Sequence, residues 1–307
     1  MPWHLVVVNV ETVVFMPLYF VVLSVIARHR TKDAVFQSHY YTLVISQGLA
    51  DFVTVAIFSP VSIARTYHIG NTFIYGLGEF GAARFLAIFA PYLLITRSIG
   101  VSLIASQRFL TLCKPHTWLE IKVKTLPSYC IIAFHWLTSF LIYLPSFFLS
   151  DPSYFENECS LFIISSDMFN KISPLCVVIS FTCCGVLNMV LYVVILKFLC
   201  SAKQITISSK KSRMTHSNEY RLCVHIFFLT VLATFILVYW LCELIFGAQD
   251  ERDSLREIRA HYPLLSSNFT FINPLVYLTL NREIQKTIKK TCVRATVFHG
   301  NAKRLSK

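Results

Sequence analysis

Charge is scarce in this 307-residue chain: 14% of its residues are Asp, Glu, Lys or Arg, while 55% are hydrophobic. A nucleic-acid-binding domain needs many more charges to solvate its surface, and a disordered chain needs far fewer apolar residues, so no nucleic-acid partner is expected and disorder is excluded. Acids are the scarcer sign, 16 against 28 basic residues, which leaves a net charge of +12. The sequence also lacks an internal repeat, a long linker and any low-complexity tract, which weighs against a transporter assembled from inverted repeats. It has no CxxC pair and no His/Cys cluster at metal-ligand spacing, so neither a metal nor another cofactor is expected. HExxH, paired intramembrane aspartates and a Ser/His dyad at one depth are missing too, so the chain is not expected to be an enzyme. The segments of about 10 alternating residues that build a membrane barrel are absent.

Long apolar runs are what the chain has instead. Its mean hydropathy is +0.59, and it carries 26 Phe and 14 Tyr. A helix needs about 20 mostly apolar residues to cross the hydrocarbon core. Seven windows qualify: Leu5 to Ala27, Tyr40 to Ile63, Ala82 to Leu112, Pro127 to Leu149, Ile172 to Leu199, Leu222 to Phe246 and Tyr262 to Leu280. The third, with Arg84 and Arg97, and the seventh are the least clean. The first lacks a basic flank and is longer than a signal-peptide core, so it reads as a helix. The expected fold is an all-α membrane protein, one seven-transmembrane helix bundle over residues 1–292 with a basic tail at 293–307.

Loops kept in the cytoplasm are enriched in Lys and Arg. Placing the segments after the odd-numbered spans on one side, with the tail, collects 21 of the 28 basic residues against four acids, a net +17. The opposite loops hold five bases and nine acids, a net −4. The N-terminus is therefore expected outside and the C-terminus in the cytoplasm. After the last span, residues 281–292 place Ile284 and Ile288 on one face with Lys286, Lys289 and Lys290 nearby, the pattern of a short amphipathic helix on an anionic leaflet. Cys292 at its end is either a palmitoylation site or a free thiol. Most cysteines fall in spans or face the cytoplasm; a bridge from Cys159 to Cys176 and a buried free thiol at Cys176 both remain open.

Ionisable groups inside spans are rare enough to mark function. Asp51 lies 11 residues into the second span, about 16 Å deep at the helical rise. Arg97 precedes Arg108, at the cytoplasmic end of the third span, by the same number of residues. The two charges share a depth, and either pair in the bundle interior or bond separately through water. Glu243 shares a face of the sixth span with Trp240 and Ile236. It either reaches headgroups or faces a ligand cavity with Arg84, which opens the third span at that level. A transporter or channel would use the Asp51/Arg97 region as a polar path, and this is the competing reading.

The second span reads Leu49-Ala50-Asp51, the third ends Ser106-Gln107-Arg108-Phe109, the fourth contains Trp136, the sixth reads Tyr239-Trp240-Leu241-Cys242, and the seventh contains Asn273-Pro274-Leu275-Val276-Tyr277. In order and spacing this resembles the rhodopsin-like G-protein-coupled receptors. The stretch from Gln107 to Trp118, the short N-terminus and the Phe-rich composition look like the nematode serpentine chemoreceptors of class v or class gamma. The resemblance implies a chemosensory receptor in the plasma membrane, with the sensory cilium as its compartment. A small molecule would bind the outer half of the bundle near Arg84, Ala90, Trp240 and Glu243. Asp51, Arg97 and Asn273 would form an intramembrane polar switch, and Arg108, Tyr192 and Tyr277 would couple to a heterotrimeric G protein. The departures are specific. Gln107 stands where the family has an acid, Cys242 where it has proline, and Ala83 where a bridging cysteine would sit. Ala90 replaces the aspartate of amine receptors. Arg97 stands beside the second-span Asp where many members bind sodium, which implies that its guanidinium replaces that cation.

Overall fold

A computed structural model describes residues 3–33, 35–149, 153–154, 163–164, 167–205, 210–249, 252–281 and 283–290. Seven long helices carry the architecture: α1 (Trp3–His29), α2 (His39–Tyr67), α4 (Ala82–Cys113), α6 (Ser128–Phe148), α7 (Asp167–Ile205), α8 (Lys210–Ala248) and α9 (Arg252–Leu280). Between them lie the short helices α3 (Asn71–Gly76) and α5 (Trp118–Thr125), one 3₁₀ turn (Leu77–Phe80), and a two-residue antiparallel pairing of Ser153–Tyr154 with Ile163–Ile164. Helical backbone resumes over 283–290 as α10. Cys159 and Cys292 lie outside the described residues.

Six of the long helices are apolar and long enough to cross a membrane. The exception is α9, which begins ten residues before the expected seventh span, at Arg252 rather than Tyr262. Its low hydropathy has a structural cause: Ser266, Ser267, Thr270 and Asn273 form a stripe that is buried inside the bundle rather than turned to lipid. Within a bilayer only a helix satisfies its own backbone, so a polar face survives there only if protein covers it.

The helices close a ring in which α1 packs on α2 and α9, α2 on α4, α4 on α7, α7 on α8, and α8 on α9, with α6 seated outside against α4 and α2. The helix α4 is its axis. Its apolar window is 78% buried, against 22–50% for the other five. Outward faces carry bare apolar side chains, among them Val13, Phe20, Phe134, Leu137, Val186 and Phe235, a surface whose natural solvent is hydrocarbon. Two apolar clusters divide the interior. The larger joins α4, α7, α8 and α9 through Leu93, Phe181, Ile236, Trp240 and Phe269. The smaller, at the inner end, gathers Ile26, Tyr40, Tyr41, Ile104, Tyr277 and Ile284. Helix prolines are tolerated here as they are in membranes generally, with Pro263 adding to Pro274 in α9.

Loop chemistry fixes the helix ends. Thr117 caps α5 by accepting from the Glu120 backbone N–H at 3.4 Å, while Glu120 accepts from the His116 N–H at 3.2 Å. This is a capping box shifted by one residue, with the Glu120 carboxylate reaching the N–H before the cap rather than that of the cap itself. Lys124 pairs with Glu120, and that hydrogen bond holds the carboxyl below its ordinary range. Arg30, just past α1, donates to Thr42 at 2.8 Å and to Ser128 at 2.7 Å, tying the inner ends of α1, α2 and α6.

Candidate functional site

At mid-depth Asp51 of α2 and Arg97 of α4 meet, with Arg97 Nε 2.8 Å from Asp51 Oδ1 and both side chains fully buried. The second carboxylate oxygen accepts from Tyr19 at 2.7 Å and from Asn273 Nδ2 at 3.1 Å. The far edge of the guanidinium donates to Ser266 Oγ and the Ser266 carbonyl, each at 3.1 Å, and to Thr270 Oγ1 at 2.7 Å. The guanidinium also lies 4.9 Å from the centroid of the Phe269 ring. Four helices are tied at one point. A guanidinium is suited to this because its planar fork offers five donors, and a buried ion pair is tolerable only with added hydrogen bonds such as these three.

The outer end repeats the arrangement with different helices. Glu243 of α8 is buried, so it does not reach the headgroups; Arg259 Nε donates to its Oε1 at 2.6 Å and Tyr239 to its Oε2 at 2.7 Å. Arg259 Nη2 also donates to Asn170 Oδ1 at 3.1 Å, which brings in α7. The cation on Glu243 is thus Arg259 and not Arg84. Arg84 is exposed and donates to the Phe147 carbonyl of α6 at 3.2 Å, because the start of α4 faces α6 rather than α8. Glu11 of α1 accepts from Ser267 at 2.6 Å, a further polar tie to α9.

A cavity of about 180 Å³ lies between α1, α2 and α9, with Ala90 of α4 in its wall. Its lining includes Arg259 from the outer pair and Ser266 and Thr270, the hydrogen-bond partners of Arg97. Trp240 stands behind it, with its ring 6.0 Å from that of Tyr262, which lines the cavity. Of the four residues expected around a ligand, Ala90 reaches this cavity directly, Glu243 and Trp240 sit one residue behind it, and Arg84 lies apart.

At the inner end the Arg108 guanidinium lies over the Tyr40 ring, 3.7 Å from its centroid. Tyr277 is buried beside Tyr40 and Tyr41 in the inner cluster, and Asn281 donates to the Tyr41 hydroxyl at 3.4 Å. Tyr192 is half-buried on the inner half of α7. Ile284 of α10 is fully buried against this cluster, with Ile288 packed beside it, while Lys286, Lys289 and Lys290 face outward. His135 is bonded within the core, to Ser46 Oγ at 2.8 Å and to the Thr96 carbonyl at 2.7 Å, so a Ser/His pair does share one depth, against the expectation from sequence, with the second ring nitrogen held by a backbone carbonyl rather than a carboxylate.

Several of these groups carry sequence signals that a search for charges passes over. Tyr239 precedes Glu243 by one helical turn. Arg259, Tyr262, Ser266, Thr270, Asn273 and Tyr277 follow one another at intervals of three or four, a single face of α9. Tyr19 is a hydroxyl in an apolar span, and such a group needs a partner once buried.

A closed bundle of seven long helices, six of them long and apolar enough to cross a membrane, with a polar centre at mid-depth, defines a multi-pass helical membrane protein. The family model for serpentine type 7TM GPCR chemoreceptors, Srv, matches residues 9–293, and the chain belongs to that family. It is a chemoreceptor family and not an enzyme family. Among curated proteins none matches the chain.

Proposed function

We propose that this receptor binds a small molecule in the cavity between α1, α2, α4 and α9 and signals by opening its cytoplasmic face to a heterotrimeric G protein. One observation carries the reading: the cavity is lined at once by the cation of the outer ion pair and by the partners of Arg97. A polar ligand there competes with Glu243 for Arg259 and with Arg97 for Ser266 and Thr270. Both competitions act on α9. The ligand shifts the equilibrium only by its difference in affinity for the two states, and loosening the outer pair supplies that difference by freeing α8 to move against α9.

At the inner end the same motion draws Arg108 off Tyr40. With Gln107 beside it in place of an acid, the aromatic ring supplies the restraint on the resting arginine. Freed, Arg108 faces the G protein together with Tyr192 and Tyr277. The cavity's volume falls below the usual range of about 300–1,000 Å³ for ligand pockets, so the ligand is small. Arg97 occupies the cation position beside Asp51, which makes the receptor indifferent to sodium. We take its setting to be the plasma membrane of the sensory cilium, the compartment a chemosensory receptor would use.

The test is a ligand screen with a second-messenger readout, using Arg108→Ala as the uncoupled control and Ala90→Phe to fill the cavity. The proposal expects responses from the native receptor that both changes abolish while surface expression holds. Responses that survive Arg108→Ala contradict the coupling role. Ligand-driven flux of the molecule itself across protein-only liposomes overturns the receptor reading.

A further inference from the structure

We propose that a second cavity, between α7 and α8, is a binding site entered from the bilayer for an uncharged apolar molecule bearing one hydroxyl group. It measures about 370 Å³, twice the outer cavity, and sits at the middle of both helices, walled by Phe181, Leu229, Leu237 and Val101 with the hydroxyl side chains Ser98, Thr182, Thr230 and Thr234 also in the lining. Its α7 flank is formed by Val186, Met189 and Val190, which are 56–60% exposed on the outward face of the bundle. At that depth the surroundings are lipid tails, so the molecule that reaches this opening is one dissolved in them.

The lining also specifies chemistry. Asn188 belongs to the wall and is 93% buried, and unlike the buried hydroxyls of the described lining its Oδ1 is left without a hydrogen-bond partner. An unsatisfied buried acceptor is costly, and hydrocarbon has no water to relieve it. A hydroxyl donates what that oxygen lacks; an alkane does not. Among the described residues the lining holds no ionisable group, so neither an ammonium nor a carboxylate finds a counter-ion there. Gly185 supplies the room. A Cβ built at this position meets no atom within 4 Å, so no neighbour forbids a side chain and the missing one leaves open space. The cavity also ends on Phe269, the ring beside the Arg97 guanidinium, so an occupant touches the wall of the polar centre.

The full-length protein in phosphatidylcholine nanodiscs, irradiated with a decanol carrying a diazirine on its chain and mapped by peptide mass spectrometry, tests the site. The label is expected on 181–190 and 229–237 above the lipid-facing stretch of α6, and decanol is expected to displace it about fivefold better than decane, the worth of one hydrogen bond. Gly185→Leu is expected to cut labelling about tenfold by filling the space, Gly185→Ala to change it less than about twofold, and Asn188→Leu to abolish the preference for decanol over decane. Unchanged α6 labelling in each variant certifies the fold. Label spread evenly over all outward faces, native labelling in Gly185→Leu, or a decanol preference that survives Asn188→Leu each overturns the proposal. The assay contains no G protein, so its failure leaves the receptor reading standing, and loss of coupling leaves this site standing.

Discussion

Two carboxylates in this bundle are each held by an arginine and a tyrosine, and their settings differ. Asp51 takes Arg97 on one oxygen and Tyr19 on the other; Glu243 takes Arg259 and Tyr239. The inner pair is fully buried and tied to α1 and α9 as well as to its own helices. The outer pair keeps Arg259 a quarter exposed, next to a cavity. On the proposed reading the same chemistry serves as a pivot at Asp51 and Arg97, which the cavity reaches only through Ser266 and Thr270, and as a latch at Arg259, which lines the cavity itself. Burial, rather than the identity of the groups, separates the two roles, because a charge in hydrocarbon has no alternative partner and a charge at the interface has water.

The sharpest way to break this comparison is to remove one member of each pair. Asp51→Asn or Arg97→Met is expected to destabilise the purified receptor by about 3–5 kcal/mol, since each leaves a buried charge uncompensated. Asp51→Leu combined with Arg97→Leu should recover most of that loss, and thermal unfolding in detergent reads both effects. Glu243→Gln is expected to cost only about 1 kcal/mol by the same measurement, because its partner is partly solvated. Equal losses at the two sites would erase the distinction.

A smaller effect is expected at the inner face. Tyr40→Leu removes the ring under Arg108, a contact of about 1 kcal/mol, and should raise basal nucleotide exchange on a reconstituted G protein about fivefold. The smallest concerns sodium. Replacing sodium by N-methylglucamine should leave the affinity of an activating ligand within about twofold, because Arg97 already fills the cation's place; a shift of about tenfold, or 1.4 kcal/mol, would show an ion bound beside it.

The inner pair is legible in the sequence because depth along a helix is simple arithmetic: Asp51 and Arg97 each stand 11 residues from an inner end, and the helical rise does the rest. The family resemblance rests on anchors of the same kind, each fixed by span and order. The outer pair was harder to read because its two members sit on helices whose facing sides no hydropathy window specifies. Arg259 looks like a loop residue when the seventh span is drawn from Tyr262, and the helix in fact starts at Arg252. Arg84 matches Glu243 in depth, yet rotation of α4 within the ring turns it toward α6. Depth is one coordinate, and azimuth around the bundle comes only from packing. The cavity at Gly185 is less legible still, since a glycine in an apolar span says nothing about what its neighbours leave empty.

The account stands on the outer pair acting as a latch and the inner pair as a pivot. Basal G-protein nucleotide exchange by Glu243→Gln, compared with the native receptor and with Glu243→Gln/Arg108→Ala, tests this most directly and needs no ligand. The account predicts that the single change raises basal exchange about fivefold, the equivalent of about 1 kcal/mol, and that adding Arg108→Ala abolishes the gain. Basal exchange equal to that of the native receptor, from a Glu243→Gln protein that folds and reaches the membrane, would contradict it.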